Sequence, residues 1–265
     1  MRSNHQKEID QPGEIIVQEP IIKKHERVDD LQCKGLKLIQ DPEGFCFGMD
    51  AVLLSNFCEI KNRWRVIDLG TGSGIIPILL AGKSQASEII GVEIQEAVAE
   101  MAGRSVRLNQ LEDRVKIIHE DLNRITDYFD AHSFDAVTSN PPYMHQGSGI
   151  PNPKSSKAIA RHEIKATLED VIRVSSKLLK DKGHFYMVHR PHRLVDVLCL
   201  CRQYRLEPKK IRFVHPNQGK KPNIFLIQCI RNGKPELKFM DPLYVYHDDG
   251  TYTEEIYEIY GRESI

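Results

Sequence analysis

The sequence predicts a doubly wound α/β fold: a mostly parallel sheet of seven strands that finishes in an antiparallel terminal hairpin. Three observations predict it. Five short apolar, β-branched runs recur from residue 64 onward, namely RVIDLG, EIIGVEI, VKIIHED, FDAVTSN and GHFYMVH. Segments with the apolar spacing of helices lie between several of them, and strands alternating with helices imply parallel pairing. Two further runs, KKIRFVH and NIFLIQCI, are joined by a loop of Pro, Gly and Lys, which suits an antiparallel pair at the end of the sheet.

Taken in order, residues 1–30 are polar, and their composition permits disorder. LQCKGLKLIQ and GFCFGMDAVLLSNFCEI then read as a short strand pair followed by a helix. The clearest helix spans 167–182. Thr167 and Asp170 make a capping-box-like start, Leu168, Val171, Ile172, Leu178 and Leu179 form one face, and Gly183 is the expected stop. Residues 31–235 form the expected main domain, and 236–265 an acidic extension packed on or near it.

Composition narrows the functional classes. A chain of 265 residues with 40% hydrophobic and 28% charged content can bury a sizeable core. No run of 18 apolar residues exists, so no membrane partner is expected, and the polar start MRSNHQKEIDQPGE has no apolar signal core. A cytoplasmic location is the expectation. The six cysteines (33, 46, 58, 199, 201 and 229) include no C-x2-C pair, so they read as reduced thiols and no metal site is expected. Formal charge is zero but uneven. His189 to Lys221 holds nine Lys/Arg against Asp196 and Glu207, whereas Glu236 to Ile265 holds eight acids against Lys238 and Arg262. A nucleic acid is therefore a permitted partner, although a solvated basic face explains such a stretch equally well.

The first of the five runs leads into DLGTGSGIIPILLAG, in which Gly70, Gly72 and Gly74 allow a tight turn and a close approach of backbone to ligand. The spacing is G-x-G-x-G rather than that of a dinucleotide cradle, and Asp68 precedes it. A carboxylate there favours a ligand carrying ammonium or sulfonium over one carrying pyrophosphate. Glu93 ends the second run, 21 residues after Gly72, where a carboxylate can accept both hydroxyls of a ribose. Asp121 follows the third run, within reach of an exocyclic amine.

Together these residues resemble the S-adenosylmethionine site of class I, Rossmann-like methyltransferases over roughly residues 45 to 230. The resemblance implies that Asp68, Gly70, Thr71, Gly72 and Gly74 surround the amino-acid part of that cofactor. It further implies that Glu93 with Ile94 holds the ribose and that Asp121 with Leu122 borders the adenine.

The fourth run leads to Asn140-Pro141-Pro142-Tyr143. A planar amine is a poor nucleophile because its lone pair is delocalised into the ring. Acceptors on its N–H groups favour rehybridisation and support the developing positive charge. The Asn140 side-chain oxygen and the Pro141 carbonyl supply two acceptors, proline keeps the loop stiff and free of donors, and Tyr143 offers a face for a flipped base. Neither metal nor covalent nucleophile is required.

This signature resembles that of amino-methyltransferases acting on adenine N6 or on a glutamine amide. FCFGMDAVLL upstream, NPPYM, IARHE and the C-terminal LYVYHDDGTYTEEIYEIYG are similar to the bacterial family that methylates adenine 37 of a valine tRNA at N6. That resemblance implies a tRNA substrate with no obligate protein partner. It places Phe47 and Asp50 at the cofactor pocket and Lys154, Lys157, Arg161 and His162 near RNA. Arg190, Lys209, Lys210 and Arg212 of the basic stretch become candidate phosphate contacts. Glutamine methylation of release factors is the alternative reaction, but Asp68 comes too early for the helical N-terminal domain usual there. A non-catalytic scaffold that binds cofactor or RNA is the other alternative, yet every residue the chemistry asks for is present.

Overall fold

The structure is a computed structural model that describes residues 21–44, 48–141 and 166–261. Phe47, Pro142, Tyr143, Lys154, Lys157, Arg161 and His162, and most of the 1–30 segment, lie outside the described residues. An antiparallel pair, β1 (Arg27–Asp30) and β2 (Lys37–Gln40), precedes helix α1 (Met49–Phe57). Strand β3 (Arg65–Leu69), α2 (Ile75–Lys83), β4 (Glu88–Glu93), α3 (Glu96–Leu108) and β5 (Val115–His119) then alternate. They are followed by β6 (Phe134–Ser139), α4 (Leu168–Leu178), β7 (Leu179–His189) and α5 (Leu194–Gln203). The last elements are β8 (Leu206–His215), β9 (Ile224–Arg231), β10 (Lys238–Phe239), β11 (Leu243–Tyr244) and α6 (Glu254–Ile259).

The main sheet runs β10-β8-β9-β7-β6-β3-β4-β5, with β11 also on β8. The seven expected strands are β3 to β9, and the two-residue strands β10 and β11 extend the β8 edge. Strands β5, β4, β3, β6 and β7 are parallel, while β9 is antiparallel to both β7 and β8. Because β3 and β6 are neighbours, the chain winds outward from β3 in one direction and from β6 in the other. The crevice at their carboxyl ends is the switch point where such sheets bind ligands.

Both faces of the sheet are covered, which explains the continuous apolar runs. Val66 packs into the face shared with α1 and α2, and the next residue, Ile67, into the opposite face shared with α4 and α5. By this period of two, Asp68 shares the face of Val66. Among the described residues no helix is long and apolar enough to cross a membrane.

The β1–β2 pair is clamped to α3. Arg104, 1% exposed, bonds both oxygens of Glu26 at 2.5 Å, Glu100 at 2.7 Å and the Ile21 carbonyl at 2.7 Å. The guanidinium holds both the Glu26 and the Glu100 carboxyl below the usual range. Ser105 and Asn109 continue the clamp, accepting the N–H groups of Ile39 and Lys37 at 3.0 and 2.8 Å. At the other end of the sheet, Arg212 forms a two-pronged pair with Glu255 of α6 at 2.5 and 2.7 Å, and Ile256 and Ile259 are buried beneath it.

The helix expected over 167–182 stops at Leu178. Leu179 is fully buried and pairs with Phe134 of β6, so the sheet claims it. The chain then bulges before His184 re-enters register opposite Ala136, and Gly183 belongs to this bulge rather than to a helix cap. A Cβ on Gly183 would meet Leu179 Cδ2 and the Lys180 carbonyl, each at 3.0 Å. The start is as expected: Asp170 N–H donates to Thr167 Oγ1 at 3.1 Å and Thr167 N–H donates to Asp170 Oδ2 at 2.9 Å. Thr167→Ala will cost about 1 kcal/mol, while Thr167→Ser will retain most of the cap. Urea unfolding of the two variants checks this, and equal losses would remove the cap as the cause.

Candidate active site

Parallel pairing places the carboxyl ends of β3, β4, β5 and β6 along one edge, so Asp68, Glu93, Asp121 and Asn140 share that edge. The glycine loop closes it. Gly70 and Thr71 both donate backbone N–H to the Val92 carbonyl, at 3.0 and 2.9 Å, folding the loop back over β4. Gly70, Gly72 and Gly74 have φ of 73°, 55° and 81°, left-handed values that favour glycine. A Cβ on Gly72 would enter open space, whereas one on Gly74 would press on Ala102 Cβ of α3 at 3.2 Å.

Glu93 is 5% exposed, and the Gly72 N–H donates to its Oε2 at 2.9 Å. The 21-residue interval noted in the sequence is thus a direct contact between loop and acid. Gln95 binds the other oxygen through its backbone at 3.0 Å and its side chain at 3.2 Å. Ile94 follows, its carbonyl in contact with His119 Nε2 at 3.0 Å. Asp121 is half-buried, with Oδ1 accepting the Asn123 N–H at 2.9 Å, and Leu122 packs against the core of the opposite face. Asp50 stands in the first turn of α1, which packs along α2, the helix that springs from the loop.

Asp68 is fully buried, and its Oδ1 accepts the Thr138 hydroxyl at 2.6 Å. Its Oδ2 and the nearby Thr71 Oγ1 are buried without a partner. Burial pushes the Asp68 pKa up from 3.8 to about 6, against the pull of Thr138 and Thr71 and with a smaller push from Glu93. A buried carboxylate with an unsatisfied oxygen, beside glycines whose missing side chains leave room, suits a compact cationic ligand such as an α-ammonium group.

The next residue of β6, Ser139, donates to the Leu69 carbonyl at 2.8 Å. Two hydroxyls therefore tie the last turn before Asn140 to the end of β3. Asn140 is half-buried and Pro141 is buried. Beside them, β7 ends in His189, whose Nδ1 accepts the Arg190 N–H at 2.8 Å, so the neutral ring carries its proton on Nε2. Burial lowers its pKa to about 4, helped by Arg193 and His192.

The candidate phosphate contacts do not assemble. Arg190 lies at the carboxyl edge, where it donates to the Asn223 carbonyl at 3.1 Å. Lys210 is five residues short of the end of β8 and pairs with Glu59. Lys209 donates to the Lys234 carbonyl at 3.1 Å, and Arg212 is engaged by Glu255. The sequence reading missed Thr138, Ser139, His189 and Gly91. Only Gly91 carried a signal, since a glycine inside a strand marks a close approach. A Cβ on it would lie 2.8 Å from Ile117 Cδ1 and 2.9 Å from Thr71 Cγ2.

A doubly wound sheet with a glycine loop and acids at its carboxyl edge defines a class I methyltransferase fold. The methyltransferase small domain family model matches residues 47–200. An Aeromonas hydrophila tRNA1(Val) (adenine(37)-N6)-methyltransferase is 28% identical over 80% of this chain and 87% of its own length. One of the same description from Aeromonas salmonicida is 30% identical over 68% and 74%. A crystal structure of a predicted O-methyltransferase from Agrobacterium tumefaciens superposes with a TM-score of 0.67 at 22% identity, covering 80% of this chain and 96% of that one. The chain belongs to the methyltransferase small domain family and, within it, groups with the tRNA1(Val) (adenine(37)-N6)-methyltransferases. Its cofactor is S-adenosylmethionine, and Asp68, the glycine loop and Glu93 fit that molecule.

A bound cation stabilises ionised Asp68, so cofactor affinity will rise with pH through about 6 and level off near 7, measured by calorimetry from pH 5 to 7. The same raised pKa means that the fold carries a cost of about 3 kcal/mol at neutral pH, which fades as pH falls from 6 toward 3.8. Asp68→Asn will therefore raise the melting temperature while weakening cofactor binding, and a loss of both would show the carboxylate to be structural. Gly91→Ala will cost about 1–3 kcal/mol by pushing Thr71 and Ile117 apart. Its cofactor affinity will fall further than that of a surface variant of equal stability.

Proposed function

We propose that the chain methylates N6 of adenine in tRNA, at position 37 of a valine tRNA. The observation that carries this is Asn140-Pro141 at the switch point, tied by Thr138 and Ser139 to the strand that presents Asp68. The activity for which its relatives are named agrees with that arrangement. When bound, S-adenosylmethionine would supply a methyl group on a positively charged sulfur, which leaves as the neutral thioether, while the amine's proton passes to solvent. The chain supplies position and charge. The Asn140 Oδ1 and the Pro141 carbonyl accept the two N–H bonds of the adenine amine, which draws the nitrogen lone pair out of the ring plane. Pro141 contributes no donor, so the site offers the amine acceptors alone. Buried Asp68 and the Gly72-anchored Glu93 hold the donor end, and the Thr138–Asp68 bond fixes the spacing between donor and acceptor sites.

Asn140→Ala will lower kcat about 100- to 1,000-fold, the effect of deleting one such preorganised contact, while cofactor affinity stays within about twofold. The direct test is transfer of radiolabelled methyl to unmodified tRNA, with nucleoside analysis of the product and with release factor and duplex DNA in parallel. N6-methyladenosine at position 37 of valine tRNA is expected. Label in the release factor, or near-normal turnover by Asn140→Ala, would overturn the reading.

A further inference from the structure

The charges at the carboxyl edge are sorted by strand. On the β3-β4-β5 half stand Asp68, Glu93, Glu120 and Asp121, a field that repels phosphate. On the other side of Asn140 the edge is formed by the ends of β7 and β8 and the start of β9. It carries Arg190, His192 and Arg193 after β7, and Lys220 and Lys221 in the turn 216–223 between β8 and β9. Arg193 is paired with Asp196. Lys220 and Lys221 are exposed, and among the described residues neither has an ion-pair partner.

This turn is held firmly. His215 Nδ1–H donates to the Lys220 carbonyl at 2.7 Å, and the Lys220 N–H donates to the Asn217 carbonyl at 3.2 Å. Arg190 reaches over from β7 to the Asn223 carbonyl at 3.1 Å, and the Asn223 N–H closes the turn on Val214 at 3.0 Å. Two basic side chains thus set the backbone that presents two further ones. The turn lies two to three strand spacings from β6, roughly 10–15 Å, which three or four nucleotides stacked at about 3.4 Å would span. Its outer side is bounded by the 245–253 hairpin, joined to it by the Val245 and Tyr246 N–H bonds to His215 and Pro216 at 2.9 and 2.8 Å. The tip of that hairpin carries exposed Asp248 and Asp249, so among the described residues the positive charge on this half of the edge forms a strip between the hairpin and β6.

We infer that the β8–β9 turn, through Lys220 and Lys221, grips the phosphodiester backbone of the RNA substrate on the half of the edge opposite the cofactor acids. This rests on the tRNA reading above and adds where the polynucleotide is held. The contact is sequence-independent: it sets affinity and salt dependence, and leaves the chemistry at Asn140 untouched.

The test compares the full-length protein with Lys220→Gln/Lys221→Gln, the conservative Lys220→Arg/Lys221→Arg, Lys209→Gln/Lys210→Gln on β8, and Lys116→Gln/Lys238→Gln as a charge-matched control. Filter retention of unmodified tRNA is measured against salt, together with KM, kcat and cofactor affinity. The Gln pair is expected to raise KM for tRNA about tenfold at 0.15 M salt and to flatten the slope of log affinity against log salt by about 1.4 to 1.8. Its kcat and cofactor affinity stay within twofold. The Arg pair and the control behave as wild type. The inference is overturned if the Gln pair matches wild type, if the loss appears instead in Lys209→Gln/Lys210→Gln, or if wild type retains no tRNA at low salt. Retention that depends on Lys220 and Lys221 without methyl transfer would support the surface while sinking the proposed reaction.

Discussion

The carboxylate of Asp68 is the constraint around which the rest of the site is arranged. It lies out of water between β3 and β6 with one oxygen satisfied by Thr138 and the other, beside Thr71, without a hydrogen-bond partner among the described residues. Such a group is tolerated only where function requires it, because its burial opposes folding at neutral pH. The neighbouring structure answers that demand. Gly70 and Thr71 bend back to β4, Gly72 fixes Glu93, and Gly74 lets α2 start against α3. Because the one satisfied oxygen is held by the strand that leads to Asn140, and Ser139 adds a second bond to the Leu69 carbonyl, the ends of β3 and β6 are joined by two hydroxyls. A rearrangement at either is felt at the other.

Charge follows position rather than composition. The basic stretch between His189 and Lys221 reads as one feature in the sequence, yet the fold scatters it, with Arg202 of α5 paired to Glu207. Lys210 and Arg212 engage Glu59 and Glu255, Lys209 caps a carbonyl, and among the described residues those that follow β7 or lie in the β8–β9 turn stand at the carboxyl edge. The acidic extension divides in the same way. Glu255 is held against the sheet, whereas Asp248 and Asp249 project at a hairpin tip.

What the sequence disclosed was whatever depends on local pattern. The strand runs at 65–69, 88–93, 115–119 and 134–139 announced themselves by apolar β-branched residues, and parallel order alone then put Asp68, Glu93, Asp121 and Asn140 on one edge. The Gly72–Glu93 contact was readable as a spacing. What stayed hidden depends on tertiary pairing. Leu179 has a helical apolar position but is claimed by Phe134, a partner 45 residues away. Strands β10 and β11 hold two residues each and carry no periodicity. Thr138 and Ser139 look like ordinary strand polar residues until the fold sets them against Asp68 and Leu69.

The covering of β8 by β10, β11 and α6 has a consequence for synthesis. Until those elements emerge, β8 is an open edge with unpaired backbone groups, ready to recruit another strand. From His215 to Ile259 the ribosome adds 44 residues, which takes roughly 2–9 s at about 5–20 residues per second. Throughout that interval Lys209, Lys210 and Arg212 stand on the bare strand, and charged side chains on an edge are what discourages intermolecular pairing. The partners that later neutralise Arg212 arrive with the same segment that makes the protection unnecessary. The basic residues of β8 are thus gatekeepers for the nascent chain before they become anchors for the finished one.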